Sequence, residues 1–118
     1  MATIHLNTKA LEQAQRLIKA GEVEAFDNDW EEEKPTSDEI NYYLNTHTPE
    51  EYGQWFLGIK PSMPKEVKEH YEYPYGDLKT VQRSALVDTI KRAEKNGHND
   101  IAQVAKRLLE MFDVRSKK

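Results

Sequence analysis

Four histidines, four serines and runs of carboxylates are the side chains here with the chemistry to act on a substrate. Nucleophilic hydrolysis needs a serine on a strained turn, served by a histidine and a carboxylate. Ser37, Ser62, Ser84 and Ser116 all lie outside a G-x-S-x-G frame. Ser37 reads as part of a helix start, Ser84 as helix interior and Ser116 as tail. Metal binding would rest on His5, His47, His70 and His98, none of which pairs with another histidine at i, i+4. Glu66 and His70 are four apart, with Glu69 and Glu72 close by, which makes half of a carboxylate–imidazole site. The plainer expectation is an exposed helical pair worth about 0.2–0.5 kcal/mol. Glu31, Glu32 and Glu33 are consecutive and so point in different directions, with nothing to desolvate one of them as a general acid. The glycines at 21, 53, 58, 76 and 97 form neither G-x-G-x-x-G nor a phosphate loop. The chain has no cysteine, which removes disulfides, thiolate metal sites and cysteine nucleophiles. No catalytic residue, metal or cofactor is expected.

Binding is the alternative to catalysis. Lys79, Arg83, Lys91, Arg92, Lys95, Lys106 and Arg107 fall in the C-terminal half, just after Tyr71, Tyr73 and Tyr75. Such cations could follow phosphates while exposed tyrosines stack on bases. Against this, net charge is −4 and the isoelectric point about 5.6, whereas nucleic-acid domains are usually basic. The charge is also unevenly divided: +2 over residues 1–21, −10 over 22–51 and +4 over 52–118. A −10 segment sets up a field that can steer a partner, or it can lie solvated against the basic half.

These side chains need elements to hold them. At 118 residues, 37% apolar and 32% charged, the chain fits one domain, residues 1–118, with a modest core. Leu11, Ala14, Leu17 and Ile18 make the stripe of an amphipathic helix over about residues 8–20, capped by Asn7 or Thr8 and released by Gly21. Val23, Phe26 and Trp30 tack an acidic, irregular segment, 22–35, onto the core; a strand there would be isolated. Two short helices start at Thr36 and Thr48, each with a carboxylate three residues on. The second presents Tyr52, Trp55 and Phe56 and stops at Gly58. Pro64 to Tyr71 suits one or two helical turns with Val67 and Tyr71 inward, and residues 73–77 make a turn or extended loop. Asp77 caps a helix from about Leu78 to Asn96. Gly97 ends it, and Asn99 caps a last helix with Ile101, Val104, Ala105, Leu108, Leu109 and Phe112 on one face. Residues 114–118 form a frayed tail. The fold expected is all-α: four or five helices ending in a tight C-terminal hairpin.

The blocks Trp55-Phe56-Leu57-Gly58 and Tyr73-Pro74-Tyr75-Gly76-Asp77, followed by Val81-x-Arg83-Ser84-Ala85-Leu86 and Arg107-Leu108-Leu109, resemble a family of small uncharacterised bacterial proteins. Similar segments occur in some phage-related proteins. The resemblance spans most of the chain and implies a genuine folded domain, but it carries no activity, cofactor or catalytic residue with it. Within these blocks Arg83 is the residue to test, with Asp77 or a tyrosine hydroxyl as its partner. The reading is a cytoplasmic, non-enzymatic interaction module with a protein partner, its binding candidates being Tyr71, Tyr73, Tyr75, Asp77 and Arg83. The alternative is a nucleic-acid module using the seven cations above. A metal-dependent enzyme built on Glu66, His70 and Arg83 comes third. No run approaches the 18 or more apolar residues of a membrane span, so no membrane partner is expected.

Overall fold

The computed structural model of the chain describes residues 4–24, 30–64 and 67–116. The all-α expectation is overturned. Among the described residues six helices share the fold with five short strands: β1 (His5–Leu6), α1 (Thr8–Ala20), β2 (Val23–Glu24), α2 (Trp30–Glu33), α3 (Ser37–Thr46), α4 (Pro49–Gly53), β3 (Phe56–Ile59), β4 (Tyr71–Pro74), β5 (Val81–Gln82), α5 (Arg83–Lys95) and α6 (Asn99–Ser116). β3 is central in an antiparallel sheet ordered β1-β3-β4, with Gly58 opposite both Leu6 and Glu72. β2 and β5 form a separate parallel pair, Val23 beside Val81 and Glu24 beside Gln82.

The helices follow from local chemistry. The Asn7 side chain accepts the Ala10 amide at the start of α1, and Gly21, at φ +82°, closes its end onto Ile18 and Leu17 carbonyls. α3 and α4 each open with a complete capping box, Thr36 with Glu39 and Thr48 with Glu51, and Pro49 fills a first-turn position of α4 that needs no amide partner. α5 and α6 form the expected hairpin around Gly97, at φ +77°. Ile101, Ala105, Leu108 and Phe112 of α6 meet Leu86 and Ala93 of α5, while Ala10, Ala14 and Ile18 bring α1 into the same core. Each fully buried Leu or Phe in it contributes about 1.5–3 kcal/mol of transfer free energy.

The corrections lie between residues 53 and 82. The aromatic run at 55–59 enters a strand, not a helix, because α4 ends at Gly53. Gly58 is therefore no helix stop. It sits mid-strand where an added Cβ would come within 2.8 Å of Ile4 and 3.0 Å of the Tyr73 ring. Tyr71 and Tyr73 alternate with half-buried neighbours, which is the period of a strand. Among the described residues the helical turns expected before them amount to one 3₁₀ turn at Lys68–His70, with Tyr71 buried and Val67 half-buried. Asp77 does not cap α5, which begins at Arg83 after β5. The strand at 23–24 is not isolated, since β5 supplies its partner. Trp30 is buried at the start of α2, whereas Phe26 lies outside the described residues. The expected tail is helical as far as Ser116, and Lys117 and Lys118 lie outside the described residues. Among the described residues no helix is long and apolar enough to cross a membrane.

Candidate functional site

The Tyr-Pro-Tyr-Gly-Asp loop turns out to be woven into the core. Tyr73 is 1% exposed and Tyr75 0%. Tyr73 takes a positive φ of 64°, uncommon for a residue with a Cβ. Its hydroxyl accepts from Asn96 Nδ2 (3.1 Å) and shares a hydrogen bond with His98 Nδ1 (2.6 Å). The Arg92 guanidinium lies 5.3 Å from the centre of the Tyr73 ring. The Tyr75 hydroxyl donates to the Gln54 carbonyl (2.8 Å) and accepts from Gln13 Nε2 (3.0 Å), and its ring stacks on Trp55. Burial raises the Tyr75 pKa well above the usual phenol range, so the hydroxyl stays protonated as a donor. Tyr71 packs among Tyr52, Phe56 and His70. None of the three is a stacking platform for bases.

Asp77 and Arg83 are staples of different kinds. Asp77 Oδ1 accepts the amides of Lys79 (3.1 Å) and Thr80 (2.8 Å), while Oδ2 accepts Gln82 Nε2 (3.0 Å). That fan of bonds tightens the 77–80 turn, in which Leu78 adopts φ +71°. Arg83 grips neither Asp77 nor a tyrosine: its partner is Asp113, in a two-pronged ion pair at 2.9 and 3.1 Å that ties α5 to α6. Hydrogen bonding to Asp113 raises the Arg83 pKa. The other cations divide. Arg92 faces Glu72 (3.6 Å) and Asp88 (3.3 Å), and Lys106 pairs with Glu94 (2.7 Å). Lys79, Lys91, Lys95 and Arg107 are exposed. Glu66 lies outside the described residues, and among these no three His, Asp or Glu side chains are grouped to hold a metal ion. His70 and Arg83 belong to separate interactions, the one bonded to the Met63 carbonyl and the other to Asp113.

Asp77 and Lys79 do reach an open site, which sequence reasoning missed. A groove of about 470 Å³ runs between α3 and the 77–79 turn, lined by Asp38, Glu39, Tyr42, Tyr43, His47, Asp77, Leu78 and Lys79. α3 has no fully buried residue. Ile40, Tyr43 and Leu44 rest against the core, and Tyr42 stands 71% exposed. The Tyr43 and His47 rings stack at 3.8 Å, and the Tyr43 hydroxyl accepts from Trp55 Nε1 at 3.3 Å. Partial burial raises the Tyr43 pKa, while hydrogen bonds from Thr36 lower that of Glu39 and keep its carboxylate charged. The signal was present in the sequence: Tyr42 is a large aromatic out of phase with the apolar stripe beside it. A larger groove, about 610 Å³, passes between α1 and α6 over Ile18, Met111 and Val114, but Lys19, Arg107, Arg115 and Glu110 mix both signs on its rim. In comparisons with models of protein families, with curated proteins and with solved structures, none matches this chain.

Proposed function

We propose that the protein is a non-enzymatic interaction module, acting in the cytoplasm, that takes a basic segment of a protein partner into the groove between α3 and the 77–79 turn. The observation that carries this is Tyr42, a large ring 71% exposed beside a groove bearing the carboxylates of Asp38, Glu39 and Asp77. A lysine or arginine of the partner would lie over the Tyr42 ring and face those carboxylates. The −10 charge carried by residues 22–51 would draw it in, with a salt dependence set by screening. Leu78 gives the groove its apolar contact. In this reading the blocks behind the family resemblance, Trp-Phe-Leu-Gly and Tyr-Pro-Tyr-Gly-Asp, serve the core that holds the groove. The nucleic-acid alternative loses its stacking rings, since Tyr71, Tyr73 and Tyr75 are buried.

An amide NMR map of the labelled protein against lysine- and arginine-rich peptides, and against mixed DNA and RNA, tests the proposal. Peptide shifts should centre on residues 38–47 and 77–79, fade with salt, and weaken about tenfold in Tyr42→Ala. Shifts produced only by nucleic acid, around Lys91, Lys95 and Arg107, would replace this reading with the alternative.

A further inference from the structure

A second cleft, of about 290 Å³, shares no lining residue with the α3 groove and lies between α1, α4, the end of β3 and the start of β4. Thr8 and Lys9 of the first turn of α1 line it, together with His70 and Glu50. His70 is 6% exposed. Its Nδ1 lies 2.7 Å from the Met63 carbonyl, which can only accept, so Nδ1 carries a proton and donates. Nε2 has no partner among the described residues. Gln82 Oε1 is the one enclosed side-chain polar atom among them without a bond, so Nε2 keeps access to solvent. A buried ring held by one nitrogen thus leaves the other for a ligand.

The chain beside it has the complementary chemistry. Asn7 caps α1 by accepting the Ala10 amide, and the preceding amides, Thr8 and Lys9, have no acceptor among the described residues. No acidic residue occupies the first turn of α1 to answer the partial positive charge there. Lys9 adds a full one. We infer that this cleft is a binding site for a small oxyanion, a phosphate or a carboxylate. The anion accepts hydrogen bonds from the Thr8 and Lys9 amides and lies near the Lys9 ammonium. His70 Nε2 provides the contact opposite, donating to the oxyanion when protonated or accepting from a hydroxyl of its carrier when neutral. Glu50 limits the charge the cleft tolerates and disfavours a bare, highly charged anion.

This inference is independent of the α3 groove, and its test leaves that groove untouched. The full-length protein is titrated with inorganic phosphate and, separately, with acetate, following backbone amides and the His70 ring nitrogens by NMR. Saturable shifts at Thr8, Lys9 and His70 Nε2 in either arm are expected, and the arm that binds identifies the class of anion. His70→Asn keeps an amide donor in place of Nδ1 for the Met63 carbonyl but has nothing in place of Nε2. It should stay folded and bind at least tenfold more weakly. Glu50→Gln should tighten binding several-fold. Shifts that are linear, spread over surface lysines, or unchanged in a folded His70→Asn would mean an adventitious ion only and overturn the inference. So would silence in both arms.

Discussion

Two tyrosine-bearing regions of this molecule differ in what surrounds the same side chain. Tyr73 and Tyr75 sit in a strand and turn that run through the core, each hydroxyl bonded to groups 21–62 residues away in sequence. Tyr42 and Tyr43 sit on a surface helix, where one ring leans on the core beside Tyr52 and Trp55 and the other points into solvent. The difference teaches that a cluster of tyrosines is not by itself a binding surface. A tyrosine whose ring and hydroxyl are both satisfied within the chain has nothing left for a partner, whereas one off the apolar stripe of its helix does.

The sharpest way to break this comparison is to truncate one ring on each side. Tyr75→Ala should cost about 3–5 kcal/mol by leaving a cavity against Trp55, read as a lower midpoint in urea unfolding. A loss below about 1 kcal/mol would mean the loop is not core. Alkaline titration comes next. Burial pushes the Tyr52 pKa up to about 12 from 10 and raises that of Tyr75 further. The folded state therefore holds these protons when the unfolded chain has released them. Stability is complete below about pH 10 and falls as pH rises towards 12, by about 1.4 kcal/mol per pH unit for each such group. Unfolding curves at pH 8 and pH 11 check the sign.

Arg83→Ala should have a smaller effect, about 0.2–1 kcal/mol, because the Arg83–Asp113 pair is more than a third exposed and solvent screens it. Asp113→Ala and the double variant complete a cycle; a coupling near zero would remove this staple from the account. The smallest effect on stability belongs to Tyr42→Ala, within about 0.5 kcal/mol, as expected for a surface ring. A large loss there would make Tyr42 a structural residue and blur the contrast with Tyr75.

Part of this was legible beforehand, and the legible part was local. Asn7, Gly21, the two threonine capping boxes and the stripes of α1 and α6 all act within a few residues of themselves, because a helix hydrogen-bonds to its own chain four residues back. The binding candidates were not legible in the same way. Arg83 stood out, but its partner Asp113 is thirty residues on, across the hairpin. Tyr42 lies off the apolar stripe of α3, so helical periodicity alone assigns it no role. The spacing of Tyr71, Tyr73 and Tyr75 by two was the available hint of a strand, masked by Pro74 and Gly76.

From its sequence alone this protein determined the span of α1, the capped starts of α3 and α4, the hairpin of α5 and α6, and the chemistries it lacks for want of cysteine. Tertiary structure alone decided that Phe56–Ile59 is a strand between Leu6 and Glu72, that Val23 pairs with Val81, and that three tyrosines face inward. The physical reason is that a strand of two to four residues has no stability of its own. Its hydrogen bonds belong to a partner tens of residues away, and only the folded chain brings that partner beside it.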